Sequence, residues 1–499
     1  MTTLNKLVEV IDSNLIPDVP VEAAQEYKVL PLSLDNNTLH LATCLNLNVP
    51  TINDLKFILG KEVVLQVWSE DEIEGALEHF YKSNGDKIVE DLNEFQVVEK
   101  NGEVSISEKG SRETDSASII KIVNQMITCA IRQRASDIHI EPYERQLRVR
   151  FRIDGVLQNR DELDISKKQA LISRLKIMAD LDIAERRRPQ DGRIRVEDGQ
   201  RTIDIRVSTL PTDFGEKMVL RILDKDVLQL ELGRLGFDDN EMQLFVDAVS
   251  SPYGMILVTG PTGSGKTTTL YATLNYLNKE TTNILTIEDP IEYNLPGVNQ
   301  AHMRADIGFS FAKALKTFLR QDPDIIMVGE IRDFETAEIA VRAALTGHLV
   351  VSTLHTNDAP GAITRLVDMG VEPFLVGSCV RLVVAQRLVR KICPHCKEED
   401  EPPPSLIKSI GSEEAKNISA FYVGRGCKLC YHTGYLGRTA LFEIMPIAEL
   451  APMITQRKPA SELKNRAVKS GMKTLRQSGL AKVKQGLTTL DEVLRETRG

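Results

Sequence analysis

Gly260-Pro261-Thr262-Gly263-Ser264-Gly265-Lys266-Thr267 follows the apolar run MILVT at 255–259 and leads into TTTLYATLNYLN at 267–278. The octet fills the pattern G-x-x-x-x-G-K-[ST] completely, between a strand-like run and a helix-like one, which is the context the pattern needs. Glycines let the backbone curl until several N–H groups point at phosphate oxygens over a helix N-terminus. Lys266 adds a point charge, Thr267 a magnesium ligand, and Thr268 completes the set in the first helical turn. An ordinary glycine-rich turn is the plain alternative, and a full match flanked on both sides argues against it. Residues 260–268 are therefore read as the binding site for ATP and its Mg2+.

Working outward, MILVTG (255–260), NILTIED (283–289), DIIMVGE (324–330) and LVVSTLH (349–355) are short apolar runs separated by helical stretches. That alternation predicts an α/β fold with a parallel sheet, and each run ends in a polar or glycine residue. Ligands of such sheets sit at the carboxyl ends of the strands, so these four ends are expected to converge. Glu330 is placed to hold magnesium or its water shell. Glu288, Asp289 and Glu292 crowd the same expected edge; Glu292 is the first choice for the base that orients the attacking water, and Glu330 the second. His355, at the end of its run, is a candidate γ-phosphate sensor, whereas His348 is as readily a packed or surface histidine.

Residues 184–206 hold seven arginines against five acids, which by itself reads as a salt-bridged surface. In an oligomer, arginines can also stabilise transition-state charge on a phosphate. Arg206 and Arg221, on neighbouring candidate strands, are the choices for that role.

Cys393-Pro-His-Cys396 and Cys427-Lys-Leu-Cys430 are two C-x-x-C pairs with 30 residues between them, a spacing that suits one tetrahedral structural zinc. His395 is an unneeded fifth donor. The other three cysteines are scattered, as buried thiols of a reducing compartment usually are.

The whole chain of 499 residues, 42% hydrophobic and 27% charged, has the composition of several folded domains. Its net charge of -9, and the want of a basic patch interleaved with aromatics, speak against a nucleic-acid partner. No apolar run approaches the length of a membrane span, so a cytoplasmic location is expected. Residues 1–81 read as a small α+β domain, with Ser69 and Glu72 at capping-box spacing. Residues 82–115 read as a flexible linker and 116–233 as a second α+β domain. The α/β core is assigned to 236–392, the tetracysteine element to 393–433, and a helical region, with Thr489 and Glu492 again at capping-box spacing, to 434–499.

From about residue 113 onward the chain resembles the secretion ATPase superfamily of type II secretion and type IV pilus motors. The resemblance rests on ASDIHIEP (135–142), RFRIDGVL (150–157), RRRPQDGRI (186–194), RVSTLPT (206–212) and GEKMVLRIL (215–223), besides the phosphate loop. LTIEDPIEY matches the family's aspartate box, DIIMVGEIRD its Walker B segment, without the usual terminal Asp, and TGHLVVSTLHTND its histidine box. The resemblance implies a RecA-like core after a PAS-like domain, a cytoplasmic homohexamer, ATP clamped between the two large domains, and arginines of the N-terminal half reaching the phosphates. The tetracysteine element sets the chain apart from retraction motors. Residues 1–81 and the following linker look like the part of a type II secretion ATPase that docks on the cytoplasmic domain of a bitopic inner-membrane protein, beside a polytopic platform protein. Type II secretion is the expected system, pilus assembly the alternative, and a nucleic-acid translocase the alternative of another class, against which the acidic balance counts.

Overall fold

The protein is described here by a computed structural model that covers residues 113–198, 201–223, 231–410 and 418–498. Before them it covers 27–35, 38–45, 61–80, 95–97 and a few further positions below 60. Most of the expected linker, and residues 224–230 before the expected end of the second domain at 233, lie outside the described residues. Two compact units are present: residues 1–129 with 195–202, and residues 130–194 with 203–499.

In the first unit, strands β1 (Val29–Asp35), β2 (Thr38–Thr43) and β3 (Glu62–Val67) form one sheet, with β1–β2 antiparallel and β2–β3 parallel. Helix α1 (Glu70–Phe80) turns Ile73 and Ala76 toward Leu30, Leu39 and Leu41 in a common core. Ser69 starts α1 as a cap: its Oγ meets Glu72 Oε2 at 2.6 Å, and the carboxylate also accepts from the Ser69 amide. Helix α2 (Glu113–Arg132), which runs to the end of this stretch at 129 and beyond it, buries Val123, Met126 and Ile127 at helical spacing. Strand β4 (Phe95–Val97) pairs antiparallel with residues 196–198.

The second unit begins with an antiparallel sheet. Its strands β5 (Ala135–Pro142), β6 (Gln146–Ile153), β7 (Val156–Asp164), β8 (Gln190–Asp198, of which 190–194 belong to this unit), β9 (Arg201–Thr212, of which 203–212 belong to it) and β10 (Gly215–Leu223) lie in the order β8-β9-β10-β5-β6-β7. Alternation sets its two faces: Leu147, Val149 and Phe151 of β6 are buried, and Arg148 and Arg150 between them reach Glu141 on the other face. Helix α3 (Lys168–Met178) contributes Leu171 and Leu175, and its Lys176 forms a fully buried ion pair with Glu216 at 2.6 Å.

The core sheet follows: β11 (Gly254–Thr259), β12 (Ile284–Glu288), β13 (Asn299–His302), β14 (Ile325–Val328), β15 (Leu349–Leu354), β16 (Val380–Ile392) and β19 (Tyr435–Pro446), in the order β13-β12-β14-β15-β11-β16-β19. All neighbours are parallel except β16 and β19. Every residue of β11, β12, β14 and β15 is buried, because helices cover both faces. Met255 and Leu257 of β11 join one apolar cluster, and Ile256 and Val258 the other. Helix α4 (Asp239–Val249) precedes the sheet, and the crossover helices are α5 (Lys266–Leu277), α6 (Phe311–Phe318), α7 (Phe334–Leu345), α8 (Ala359–Asp368) and α9 (Pro373–Cys379). A full capping box between Asp238 and Glu241 starts α4.

Two expectations for the C-terminal region need correction. Residues 434–499 are not helical throughout, because Tyr435–Pro446 is the long strand β19, whose run ALFEIM is buried against β16. The tetracysteine element, with strands β17 (Lys397–Glu399) and β18 (Tyr422–Gly424), is thus an insertion at the turn between two paired strands. The helices α10 (Ala460–Lys469), α11 (Leu475–Lys484) and α12 (Leu490–Glu496) follow β19. Thr489 caps α12 by accepting from the Glu492 amide, but Glu492 does not complete a box. Its buried carboxylate is taken by Arg390 at 2.6 Å and by Arg495 at 2.6 Å, stronger donors than a backbone amide.

Candidate functional site

The phosphate loop sits at the carboxyl end of β11, between β15 and β16, near the middle of the sheet. Gly260, Gly263 and Gly265 have φ of +149°, +81° and +87°, where an L side chain is strained. At Gly260 and Gly265 an added Cβ would also lie 2.5 Å from the Gln386 carbonyl oxygen and 2.8 Å from Gln386 Nε2. Gly265 is the N-cap of α5 and offers no side chain, so the N–H groups of the first turn, through Lys266, Thr267 and Thr268, have no side-chain acceptor. Ser264 Oγ is buried and has no hydrogen-bond partner among the described residues. Lys266 Nζ donates to the carbonyls of Gly260 at 2.8 Å and Pro261 at 3.0 Å. Burial lowers the Lys266 pKa; Glu330 opposes that shift and Arg387 adds to it. A concave set of free donors with one charged amine fits the polyphosphate of a nucleotide. Pro261, Thr262 and Gly263 form the exposed crown of this loop.

The strand order brings the other tips beside it. Glu330, two residues beyond β14, is ion-paired to Arg332 and lies 3.3 Å from His355 Nε2, which extends from the end of β15. Asp289, just past β12, is 4.0 Å from Arg332. Glu288 is turned inward: its buried carboxylate accepts from Tyr271 Oη, from Thr286 Oγ1 at 2.7 Å and from Gln300 Nε2 at 3.0 Å. Tyr271 comes from α5, and its hydroxyl also accepts from the Glu292 amide at 3.3 Å. Burial and the Glu288 charge raise the tyrosine pKa. His348 stands before β15, at the opposite end of the strand, with Nδ1 3.0 Å from the Ala343 carbonyl.

The arginines divide. Arg206 and Arg221 are direct cross-strand neighbours on β9 and β10. Arg206 Nη1 donates to Glu292 Oε2 at 2.9 Å and Nη2 to the Ile291 carbonyl at 2.7 Å, so it reaches the core. Arg221 is engaged on its own sheet, with Nε 3.1 Å from Asp137 Oδ1.

Several members of this cluster carried no weight in the sequence reading. Tyr271 looks like one more apolar position of α5. Arg332, two residues after Glu330, was legible only as a charge in a loop. Gln386 and Arg387 interrupt the apolar run of β16, and that interruption was the available signal. Gln386 Oε1 accepts from Thr269 at 2.7 Å, and Arg387 Nη2 donates to the Asn357 carbonyl at 3.0 Å. On the other side of the loop, Thr259 Oγ1 and Thr356 Oγ1 are 2.7 Å apart.

The four cysteines form a separate centre, with all four Sγ atoms within 4.8 Å of one another. Cys393–Cys427 and Cys396–Cys430 are each 3.8 Å apart, and Cys427–Cys430 3.7 Å. Zn–S bonds of about 2.3 Å in a tetrahedron put sulfurs about 3.8 Å apart, so the set has the size of a zinc cage. The Gly426 and Gly434 amides donate to Cys396 Sγ and Cys430 Sγ, each at 3.3 Å, as ligand thiolates require of their surroundings. His395 is exposed and outside the cluster.

Residues 112–495 match the family described as type II/IV secretion system protein. The chain belongs to that family. Residues 3–86 match a second family, the MshEN domain. Among relatives of this secretion ATPase, the type IV pilus assembly ATPase PilB of Myxococcus xanthus is 48% identical, over 98% of this chain and 87% of its own. The type II secretion system protein E of Pseudomonas aeruginosa is 44% identical, over 97% of this chain and 99% of its own. The crystal structure of the pilus retraction motor PilT with bound ADP superposes with a TM-score of 0.50 at 28% identity, covering 75% of this chain and 96% of that one. No helix among the described residues is long and apolar enough to cross a membrane.

Proposed function

We propose that this secretion ATPase hydrolyses ATP to drive a type II secretion system, in which its motion assembles a short pilus-like fibre that exports folded proteins. The observation that carries the reading is the meeting of an unliganded-donor loop with the ends of three neighbouring strands. Residues 260–268 bind the polyphosphate, with Lys266 as its fixed charge. Thr267 and Glu330 are the residues that would hold Mg2+, whose chemistry is to neutralise phosphate charge. Glu292 orients the attacking water, with Glu330 as the second choice, and water attacks the γ-phosphorus as the bond to ADP breaks. His355, beside Glu330, reports the state of the γ-phosphate. Arg206 supplies positive charge to the transition state, and Arg221 joins it only when freed from Asp137. Zn2+ in the four-cysteine cage shapes the turn between β16 and β19 and has no part in the chemistry.

A homohexamer in the cytoplasm, docked through residues 1–81 on the cytoplasmic domain of a bitopic inner-membrane protein and working on a polytopic platform protein, completes the reading. The 48% identity to a pilus assembly ATPase favours a second reading, assembly of a surface pilus. A deletion strain decides between them: loss of secreted hydrolases supports the first, loss of surface pili the second. Phosphate release by the full chain, abolished in Lys266→Ala, tests the enzymatic core; turnover retained in that variant overturns it.

A further inference from the structure

Beneath the phosphate loop lies a cation that the roles above do not use. Arg387 is 9% exposed, and among the described residues it forms no ion pair. Its hydrogen bonds go to neutral oxygens: the Gln386 carbonyl at 3.2 Å, and the Asn357 carbonyl and Oδ1 at 3.0 and 3.3 Å. Burial lowers its pKa, and Glu496, Asp358 and Glu443 act on it only through space. A buried charge without a counterion is costly, so such groups normally have a partner that neutralises them.

Two observations say where that partner belongs. A Cβ placed on Gly260 would be 3.2 Å from Arg387 Nη1 and 2.6 Å from Ser264 Oγ, so guanidinium, loop backbone and serine share one corner. Ser264 Oγ, only 3% exposed, is itself without a hydrogen-bond partner. An orphan donor and an uncompensated cation thus lie together at the inner wall of an anion-binding loop. Through Asn357 the same guanidinium also holds the segment that follows His355, so it ties the histidine end of β15 to the floor of the loop.

We propose that Arg387 is a positioning residue for the nucleotide, a buried cation whose charge is completed by the polyphosphate bound in the loop above it and whose second nitrogen keeps the loop after His355 in register with that polyphosphate. This rests on the nucleotide reading of residues 260–268. It acts through the loop and not by touching the ligand, so its signature is in affinity for anionic ligands more than in chemistry.

The test uses the full chain with Arg387→Gln, which keeps polar contacts and removes charge, and Arg387→Lys, which keeps charge. ADP, pyrophosphate and adenosine are titrated calorimetrically, and melting is recorded with and without ADP. In Arg387→Gln, Kd for ADP and for pyrophosphate should rise about tenfold, equivalent to about 1.4 kcal/mol, while adenosine binding and the nucleotide-free melting temperature stay near wild type. Arg387→Lys should recover most of the loss, and KM for ATP should rise more than kcat falls. Unchanged ADP and pyrophosphate affinity in both variants overturns the proposal. So does an Arg387→Lys protein as weak as Arg387→Gln, because shape and not charge would then matter. Failure of wild-type protein to bind ADP or pyrophosphate overturns the nucleotide reading, and this inference with it.

Discussion

Arg206 and Glu292 are hydrogen-bonded at 2.9 Å, joining the antiparallel sheet to the loop after β12. Both side chains are about one-quarter exposed, so the pair contributes little stability, about 0.2–1 kcal/mol. Its importance is positional. The side chain proposed as the base is held by the side chain proposed to meet phosphate charge, so under that proposal an arriving γ-phosphate would compete for the same guanidinium.

Glu292→Gln keeps the shape of this contact and removes the carboxylate. Turnover should fall by about 10²-fold or more, the usual contribution of a positioned base, while ADP affinity holds. Single-turnover phosphate release would measure it, and near-wild-type rates would transfer the role to Glu330.

Tyr271→Phe deletes one of the three donors to the buried Glu288 carboxylate and leaves the ring in its packing site. A cost of about 1–3 kcal/mol is expected, the penalty for a buried acceptor losing a partner. Urea unfolding of the wild type and variant would show it as a lower midpoint with unchanged slope. Turnover should fall too, since the same hydroxyl accepts from the Glu292 amide.

Glu141 carries the clearest pH dependence. Burial alone would raise its pKa, but Arg150, Lys217 and Arg148 outweigh that and hold it at about 2, against an ordinary 4.5. A depressed folded pKa means that the stabilisation is complete above 4.5 and is lost as pH falls toward 2. Glu141→Gln should therefore cost roughly 2–3 kcal/mol at neutral pH and flatten the loss of stability between pH 4.5 and 2. Melting temperatures of both proteins across that range would check it; parallel curves would count against the assignment.

Zinc should be present at one ion per chain by elemental analysis. Chelation, or Cys396→Ser, should expose residues 393–433 to protease while ADP binding persists. Gly434→Ala tests the cage without replacing a ligand. An added Cβ there would lie 2.2 Å from the Gly424 carbonyl oxygen, at a φ of +77°, so zinc affinity should drop sharply. Full zinc retention in that variant would mean that the segments at Gly424 and Gly434 can separate without cost to the site.

Much of the candidate site was legible because it depends on local pattern. A complete phosphate-loop octet, two C-x-x-C pairs and four apolar runs are each contained in a few consecutive residues, and local backbone chemistry dictates what they form. The inward turn of Glu288 was not legible, since Glu288 and Asp289 are adjacent carboxylates and only the packing of Tyr271, Thr286 and Gln300 separates their roles. Nor was β19, because its run ALFEIM suits a helix or a strand equally until β16 lies beside it.

Residue order alone was enough to show that a glycine-rich loop with one lysine ends a buried strand, that further strands of an α/β sheet follow it, and that four thiols pair at metal spacing, because these are properties of short segments. Only the packing of distant segments turns Glu288 inward, brings Arg206 rather than Arg221 to the core, and sets Arg387 beneath the loop with no ion pair among the described residues. Those outcomes depend on strand order and side-chain packing between residues far apart in the chain, and no local pattern encodes them.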